Sequence, residues 1–120
     1  SGGRPQSRTV WGAIPDDVVF DPHLAIPAVV DSGGTALAVS DEETLEAEKL
    51  LAASEGLFVE PSSATAVAAL RSLVKRGVVD RKARVCCLAT GTGFKDLGAA
   101  KGLVSLPNVI SVLEFRRRFA

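Results

Sequence analysis

The fold expected from this sequence depends on residues 84–96, which read RVCCLATGTGFKD. The continuous apolar run at residues 85–89 is typical of a parallel β-strand that is covered on both faces. The loop at residues 90–93 follows that run directly and contains two threonines and two glycines. Ligands of parallel sheets bind beyond the carboxyl ends of the strands. We therefore expect this loop to face a bound molecule.

Helix signals alternate with further strand signals on both sides of this stretch. Ser40 followed by Glu43 matches a helix capping box, and Gly56 is placed to end that helix. One face of the helix is expected to carry Ala47, Leu50, Leu51 and Ser54. The alternation predicts an α/β fold, a layered and mostly parallel sheet with flanking helices. The expected strands are residues 35–39, 57–59, 85–89 and 109–115, and the expected helices are residues 22–32, 40–56, 61–76 and 96–103.

Length and composition indicate one globular domain. The chain has 120 residues, of which 47% are hydrophobic, enough to form a core. Fourteen basic and fourteen acidic residues give a net charge of zero, so no long-range attraction to nucleic acid or anionic membrane is expected. No apolar run approaches the roughly 20 residues of a membrane span. The adjacent Cys86 and Cys87 suit neither a disulfide framework nor a metal site, which favours a cytoplasmic protein.

The ends of the chain predict a fragment of a larger protein. The sequence contains no methionine and begins Ser-Gly-Gly. Residues 1–7 are expected to be a flexible start or the remnant of a tag. Residues 8–120 are expected to form a single α/β domain.

Two motifs follow expected strands, and each has a purely structural interpretation beside a functional one. The loop at residues 90–93 is either a plain strand-to-helix turn or a ligand loop whose glycines permit close approach. It matches neither a P-loop nor a dinucleotide fingerprint. The segment at residues 60–63 either caps a helix through Ser62 or Ser63, or places Glu60 in a cleft beside a ligand. His23, the only histidine, has no acidic or cysteine partner at ligand spacing, so no metal site is expected.

Residues 39–43, 55–64 and 84–96, taken together, resemble the carboxy-terminal part of threonine synthase in both order and spacing. That family belongs to the tryptophan-synthase-β-like class of enzymes that use pyridoxal 5′-phosphate (PLP). The resemblance covers about residues 35–96 and implies a two-domain α/β lyase of threonine biosynthesis, usually dimeric. Such an enzyme converts O-phosphohomoserine and water to threonine and phosphate. This chain would be part of its large domain.

The resemblance also implies roles for particular residues. Thr90 falls where the family's threonine meets the pyridine nitrogen of PLP, and its neutral hydroxyl would not hold a proton on the ring as an aspartate would. The cofactor-binding set implied is Thr90, Gly91, Thr92, Gly93 and Glu60. The family's Schiff-base lysine and glycine-rich phosphate loop have no counterpart here, and Lys95 does not take the lysine's place. No catalytic residue is therefore expected, and the fragment alone should be inactive.

Other interpretations remain open on the residues alone. Thr92 and Phe94 stand where the family usually has Asn or His and then Leu, which leaves the substrate open. One alternative is a fragment of a threonine dehydratase-like PLP lyase. Another is a non-catalytic α/β module that binds a small anion at residues 90–93 as a monomer. A fragment would expose apolar surface and associate with copies of itself through that surface.

Overall fold

The computed structural model describes Thr9, residues 21–101 and residues 109–119. The described residues form five α-helices and one 3-10 turn, Gly93–Lys95. Residues 1–8 and 10–20 lie outside the described residues, and with them the expectation of a flexible start or tag remnant at residues 1–7. The helices are α1 (Pro22–Asp31), α2 (Asp41–Glu55), α3 (Pro61–Lys75), α4 (Leu97–Ala100) and α5 (Val112–Phe119).

Helix α2 begins and ends where its local signals predict. Glu43 N donates to Ser40 Oγ at 3.2 Å, and Ser40 N donates to a Glu43 carboxylate oxygen at 2.8 Å. These reciprocal bonds satisfy two backbone donors at the helix start and confirm the capping box. Gly56 ends the helix with a φ of 69°, a conformation that a side chain disfavours.

Helices α2 and α3 pack against each other and form the core. The buried apolar residues of this core are Ala47, Val59, Ala64 and Ala68, with Val39, Leu51 and Val67 packed around them. Alanines on both helices allow the two backbones to approach closely. The buried face of α2 consists of Thr44, Ala47 and Glu48, whereas Leu50 is 46% exposed. Of the expected face, Ala47 is buried and Leu51 half-buried, whereas Leu50 and Ser54 are exposed. The contact with α3, and not apolar character alone, decides which residues of α2 are buried.

The predicted α/β fold with a layered, mostly parallel sheet is wrong for the described residues. They contain a single isolated bridge, Val59 to Thr92, and it is antiparallel. Residues 81–90 are all exposed, and Leu88 is 76% exposed. A strand needs a neighbour about 4.8 Å away to pair its backbone groups. Residues 35–39, 57–59 and 85–89 form no such ladder in the described part of the chain, so their apolar character alone does not make them strands.

Residues 109–115 were expected to be a strand, but the structure has helix α5 from Val112. Glu114 N donates to Ser111 Oγ at 3.2 Å and Phe115 N donates to Ser111 O at 2.9 Å, so Ser111 starts the helix. Arg118 and Glu114 are 3.7 Å apart, one helical turn from each other. Local capping and this pair favour the helix over the β-propensity of the valines and isoleucine.

The remaining helix predictions are met where the structure describes them. Helix α1 begins at Pro22, contains Pro27 and ends at Asp31, before Gly33 with a φ of 65°. Helix α4 lies within the expected 96–103, and Asp96 caps it by accepting from Ala99 N at 3.2 Å. No described helix is long and apolar enough to cross a bilayer.

Candidate functional site

The structure brings Glu60 and the loop at residues 90–93 together, although 30 residues separate them. Glu60 N donates to Gly91 O at 3.1 Å, and Gly93 N donates to Phe58 O at 3.0 Å. These two backbone bonds flank the bridge between Val59 and Thr92. The two motifs that the sequence placed after separate strands therefore form one site at the start of α3.

Ser63, in the first turn of α3, holds the other side of the loop. Its Oγ accepts hydrogen bonds from Thr90 N at 3.0 Å and from Gly91 N at 2.9 Å. It also lies 2.9 Å from Thr90 Oγ1. The sequence suggested that Ser62 or Ser63 caps α3, but Glu60 is the N-cap residue and makes no side-chain cap bond. The structure thus turns Ser63 outward from its own helix, towards the loop.

The two threonines of the loop differ in what their hydroxyls do. Thr90 is exposed, and its hydroxyl contacts Ser63 on one side. Thr92 is also exposed, but its Oγ1 accepts from Phe94 N at 3.5 Å and so caps the 3-10 turn. Thr90 is therefore the loop hydroxyl that is both accessible and anchored by a neighbouring side chain.

Both loop glycines leave room for neighbouring side chains, and the room is least adjustable at Gly93. A Cβ on Gly91 would overlap the Glu60 carboxylate, and a Cβ on buried Gly93 would overlap the Phe58 ring. The Phe58 ring in turn meets the Phe94 ring edge-on, with centroids 5.2 Å apart. The glycines thus let the loop pack closely against residues 58–60.

The Glu60 carboxylate lies inside the site and faces a cation. Its side chain is 13% exposed, and one oxygen is 3.9 Å from Lys95 Nζ. The lysine side chain is 63% exposed, so the pair lies at the edge of the site and contributes little to stability. The arrangement offers one hydroxyl, one carboxylate and one ammonium within a few residues of the loop.

Glu48 is a second buried acid that the sequence pattern did not single out. It is 0% exposed, and neither carboxylate oxygen has a hydrogen-bond partner in the described structure. Burial raises the pKa of Glu48 above its ordinary value of 4.5, and the negative charge of Asp96 raises it further. Both effects shift the equilibrium of this carboxyl group towards the neutral acid. A charged residue flanked by Ala47 and Lys49 gives no sequence signal of burial.

Two open grooves in the described part of the chain lie away from this site. One, of about 620 Å³, runs between α2 and α3, and another, of about 520 Å³, adjoins it. Neither is lined by Glu60 or by the loop. Within the described ranges no cluster of three possible metal ligands occurs, and Cys86 and Cys87 are free and exposed. The first groove is lined by Glu43, Glu46, Ala68, Arg71, Ser72, Lys75 and Arg76.

The family of the chain follows from comparison with known proteins. A model of the pyridoxal-phosphate dependent enzyme family matches residues 4–91, more than half of the chain. The chain belongs to this family. The match includes Glu60, Ser63, Thr90 and Gly91, the residues that the structure brings together.

Curated relatives of this family member are threonine synthases. That of Methanocaldococcus jannaschii is 53% identical over 76 residues, which are 63% of this chain and 19% of that protein. That of Methanosarcina acetivorans is 46% identical over 86 residues, 72% of this chain and 21% of that protein. That of Mycobacterium tuberculosis H37Rv is 44% identical over 88 residues, 73% of this chain and 24% of that protein. The chain therefore spans about a fifth to a quarter of these relatives.

Proposed function

We propose that this chain is the carboxy-terminal, cofactor-ring-binding segment of a PLP-dependent threonine synthase-like lyase. The complete enzyme would convert O-phosphohomoserine and water to threonine and phosphate. The observation that carries the proposal is the anchored Thr90–Gly91 loop, which lies within the residues 4–91 that match the pyridoxal-phosphate dependent enzyme family. Because the chain spans about a fifth of that relative, we propose that it is inactive alone.

The chemistry of the donor set fits one part of PLP, the ring nitrogen. The hydroxyl of Thr90 is neutral and accessible, and Ser63 anchors it from behind. A neutral donor stabilises an unprotonated ring nitrogen without supplying the negative charge that would keep a proton there. PLP supplies an electron sink for reactions at the carbons of an amino acid. An uncharged partner favours a milder sink, suited to elimination and replacement.

Glu60 would keep the loop in place and not react. Its carboxylate lies against Gly91, and its contact with Lys95 offsets its charge. With Gly91 lacking a side chain, the acid approaches the backbone of the loop beside Thr90. We propose that Glu60, Gly91, Thr92 and Gly93 shape the ring site, while Thr90 makes the polar contact.

The experiment that tests the proposal is a chimeric enzyme. The 76 matching residues of the Methanocaldococcus jannaschii threonine synthase are replaced by the corresponding residues of this chain. We expect the chimera to release phosphate and threonine from O-phosphohomoserine. A chimera that retains bound PLP but forms 2-oxobutanoate from threonine, and no phosphate, would favour the threonine dehydratase alternative and contradict the proposal.

We also propose that the chain associates with copies of itself through exposed apolar surface. Ile26 and Val30, four residues apart on one face of α1, are each more than 60% exposed, as is Leu24. Contiguous exposed apolar surface marks interaction sites. Sedimentation equilibrium of the chain measures the stoichiometry. A monomer at every concentration would contradict this part of the proposal and favour a stand-alone module.

A further inference from the structure

Two amides and one hydroxyl converge on a single side-chain oxygen of α3. Thr90 N and Gly91 N both donate to Ser63 Oγ, at 3.0 and 2.9 Å. Thr90 Oγ1 lies 2.9 Å from the same atom, and either hydroxyl could donate in that contact on distance alone. Ser63 is 4% exposed, so its hydrogen bonds are made within the protein.

The number of donors and acceptors decides the direction of the contact between the hydroxyls. A serine hydroxyl has two lone pairs and one proton. The two amide protons occupy both lone pairs, so Ser63 has no third lone pair for the Thr90 proton. Its own proton has two acceptors in reach, Thr90 Oγ1 at 2.9 Å and Gly91 O at 3.5 Å. Because O–H···O bonds span about 2.5–3.0 Å, Thr90 Oγ1 is the acceptor.

We infer that Ser63 is a positioning residue that donates its proton to Thr90 Oγ1 and leaves the Thr90 proton for an acceptor outside the chain. With the opposite direction, Thr90 would have no proton to give and would accept only. The identity of the outside acceptor as the ring nitrogen of PLP rests on the proposed function. The direction of the contact rests on the geometry of Ser63 alone.

This direction matches the polarity that an unprotonated ring nitrogen requires. Such a nitrogen has a lone pair and no proton, so its partner must be a donor. Ser63 thereby leaves Thr90 able to donate to such a nitrogen, although the Ser63 oxygen itself stays buried. Two backbone bonds to the same oxygen also fix the position of the loop, so that the hydroxyl is held in place before a ligand arrives.

The first test measures backbone amide exchange by NMR in the full 120-residue chain. In Ser63→Ala we expect the Thr90 and Gly91 amides to exchange on the order of tenfold faster, since each loses its acceptor. Ser62→Ala is the matched control on the same helical turn, and it should leave both amides unchanged. Ser63→Thr keeps the hydroxyl and should restore protection. Unchanged exchange in Ser63→Ala would overturn the inference.

The second test follows the hydroxyl protons in the unmodified chain. We expect a slowly exchanging Ser63 hydroxyl proton close to the Thr90 side chain, and a rapidly exchanging Thr90 hydroxyl proton. The reverse pattern would overturn the inference, and this result does not depend on whether Ser63→Ala folds. Neither test contains PLP or substrate, so their failure leaves the chimera result untouched. An inactive chimera would equally leave the Ser63 geometry intact.

Discussion

Replacing Glu48 by leucine is expected to stabilise the folded chain at neutral pH. Glu48 is fully buried on α2, and its two oxygens have no hydrogen-bond partner in the described structure. Leucine has a similar volume and no polar atoms, so it keeps the packing and removes the unsatisfied groups. Replacing unpaired buried polar groups by apolar ones is neutral or stabilising.

The expected gain follows from the state of the carboxyl group. A buried polar group without a partner costs about 1–3 kcal/mol of unfolding free energy. For a domain of this length, 1 kcal/mol corresponds to a shift of roughly 4 °C in Tm. We therefore expect Glu48→Leu to raise Tm by about 4–12 °C at pH 7. Glu46→Leu is the control, because its side chain is 71% exposed and its contact with Arg71 is weak.

The gain should also depend on pH, with a definite sign. Burial, and then the charge of Asp96, raise the pKa of Glu48 in the folded chain above 4.5. As the pH rises above this ordinary value, the unfolded chain loses the proton first, so the stability contributed by Glu48 is lost with rising pH. The free-energy difference between Glu48→Leu and the unmodified chain should thus be larger at pH 7 than at pH 4. Urea unfolding at both pH values measures it. A destabilised Glu48→Leu at pH 7, or a difference that shrinks between pH 4 and pH 7, would refute the reasoning.

Three further predictions concern the loop, the helix start and the cofactor. Gly93→Ala should lower the free energy of unfolding by about 2–3 kcal/mol and Gly91→Ala by about 1 kcal/mol. The difference is expected because the Phe58 ring is less able to move than the end of the Glu60 side chain. Urea unfolding that reverses this order would contradict the packing account. Ser40→Ala should lower the free energy of unfolding by about 1 kcal/mol, because the capping box is lost. Ser54→Ala should be near neutral, because the Ser54 hydroxyl bonds only Leu50 O. Equal losses of stability in the two variants would argue against the cap. The chain alone should retain no PLP after borohydride reduction, since all five of its lysines are exposed and none lies in an enclosed pocket of the kind that favours a Schiff base. A labelled lysine found by mass spectrometry would contradict this.

The helices could be predicted from the sequence because their start and stop signals are local. Ser40 and Glu43 are three residues apart, and Gly56 directly follows the helix that it ends. Interactions of such short range are the same in almost any tertiary context. The helix at residues 112–119 was missed for the opposite reason. Its apolar residues suggested a strand, and the cap at Ser111 was overlooked.

The predicted sheet is wrong for the described residues because a strand depends on its partner. The apolar run at residues 85–89 shows what would be stable if covered, but not what covers it. The site residues Thr90, Gly91 and Glu60 were chosen by resemblance, and their roles towards PLP stay a prediction. The sequence leaves capping by Ser62 or Ser63 open, because serine is a favoured residue at a helix start. The partner of Ser63 lies 27 residues further along the chain, where no local pattern reveals it.

The central claim is tested most directly by the turnover of the chimeric threonine synthase with Thr90→Asp. An aspartate would hold a proton on the ring nitrogen, and charged hydrogen bonds contribute about 1.5–3 kcal/mol, so kcat for phosphate release should fall on the order of tenfold to a hundredfold. Thr90→Ser, which keeps the neutral donor, should remain within a few-fold of the unmodified chimera. Equal kcat values for Thr90→Asp and the unmodified chimera would contradict the assignment of Thr90 to the ring nitrogen.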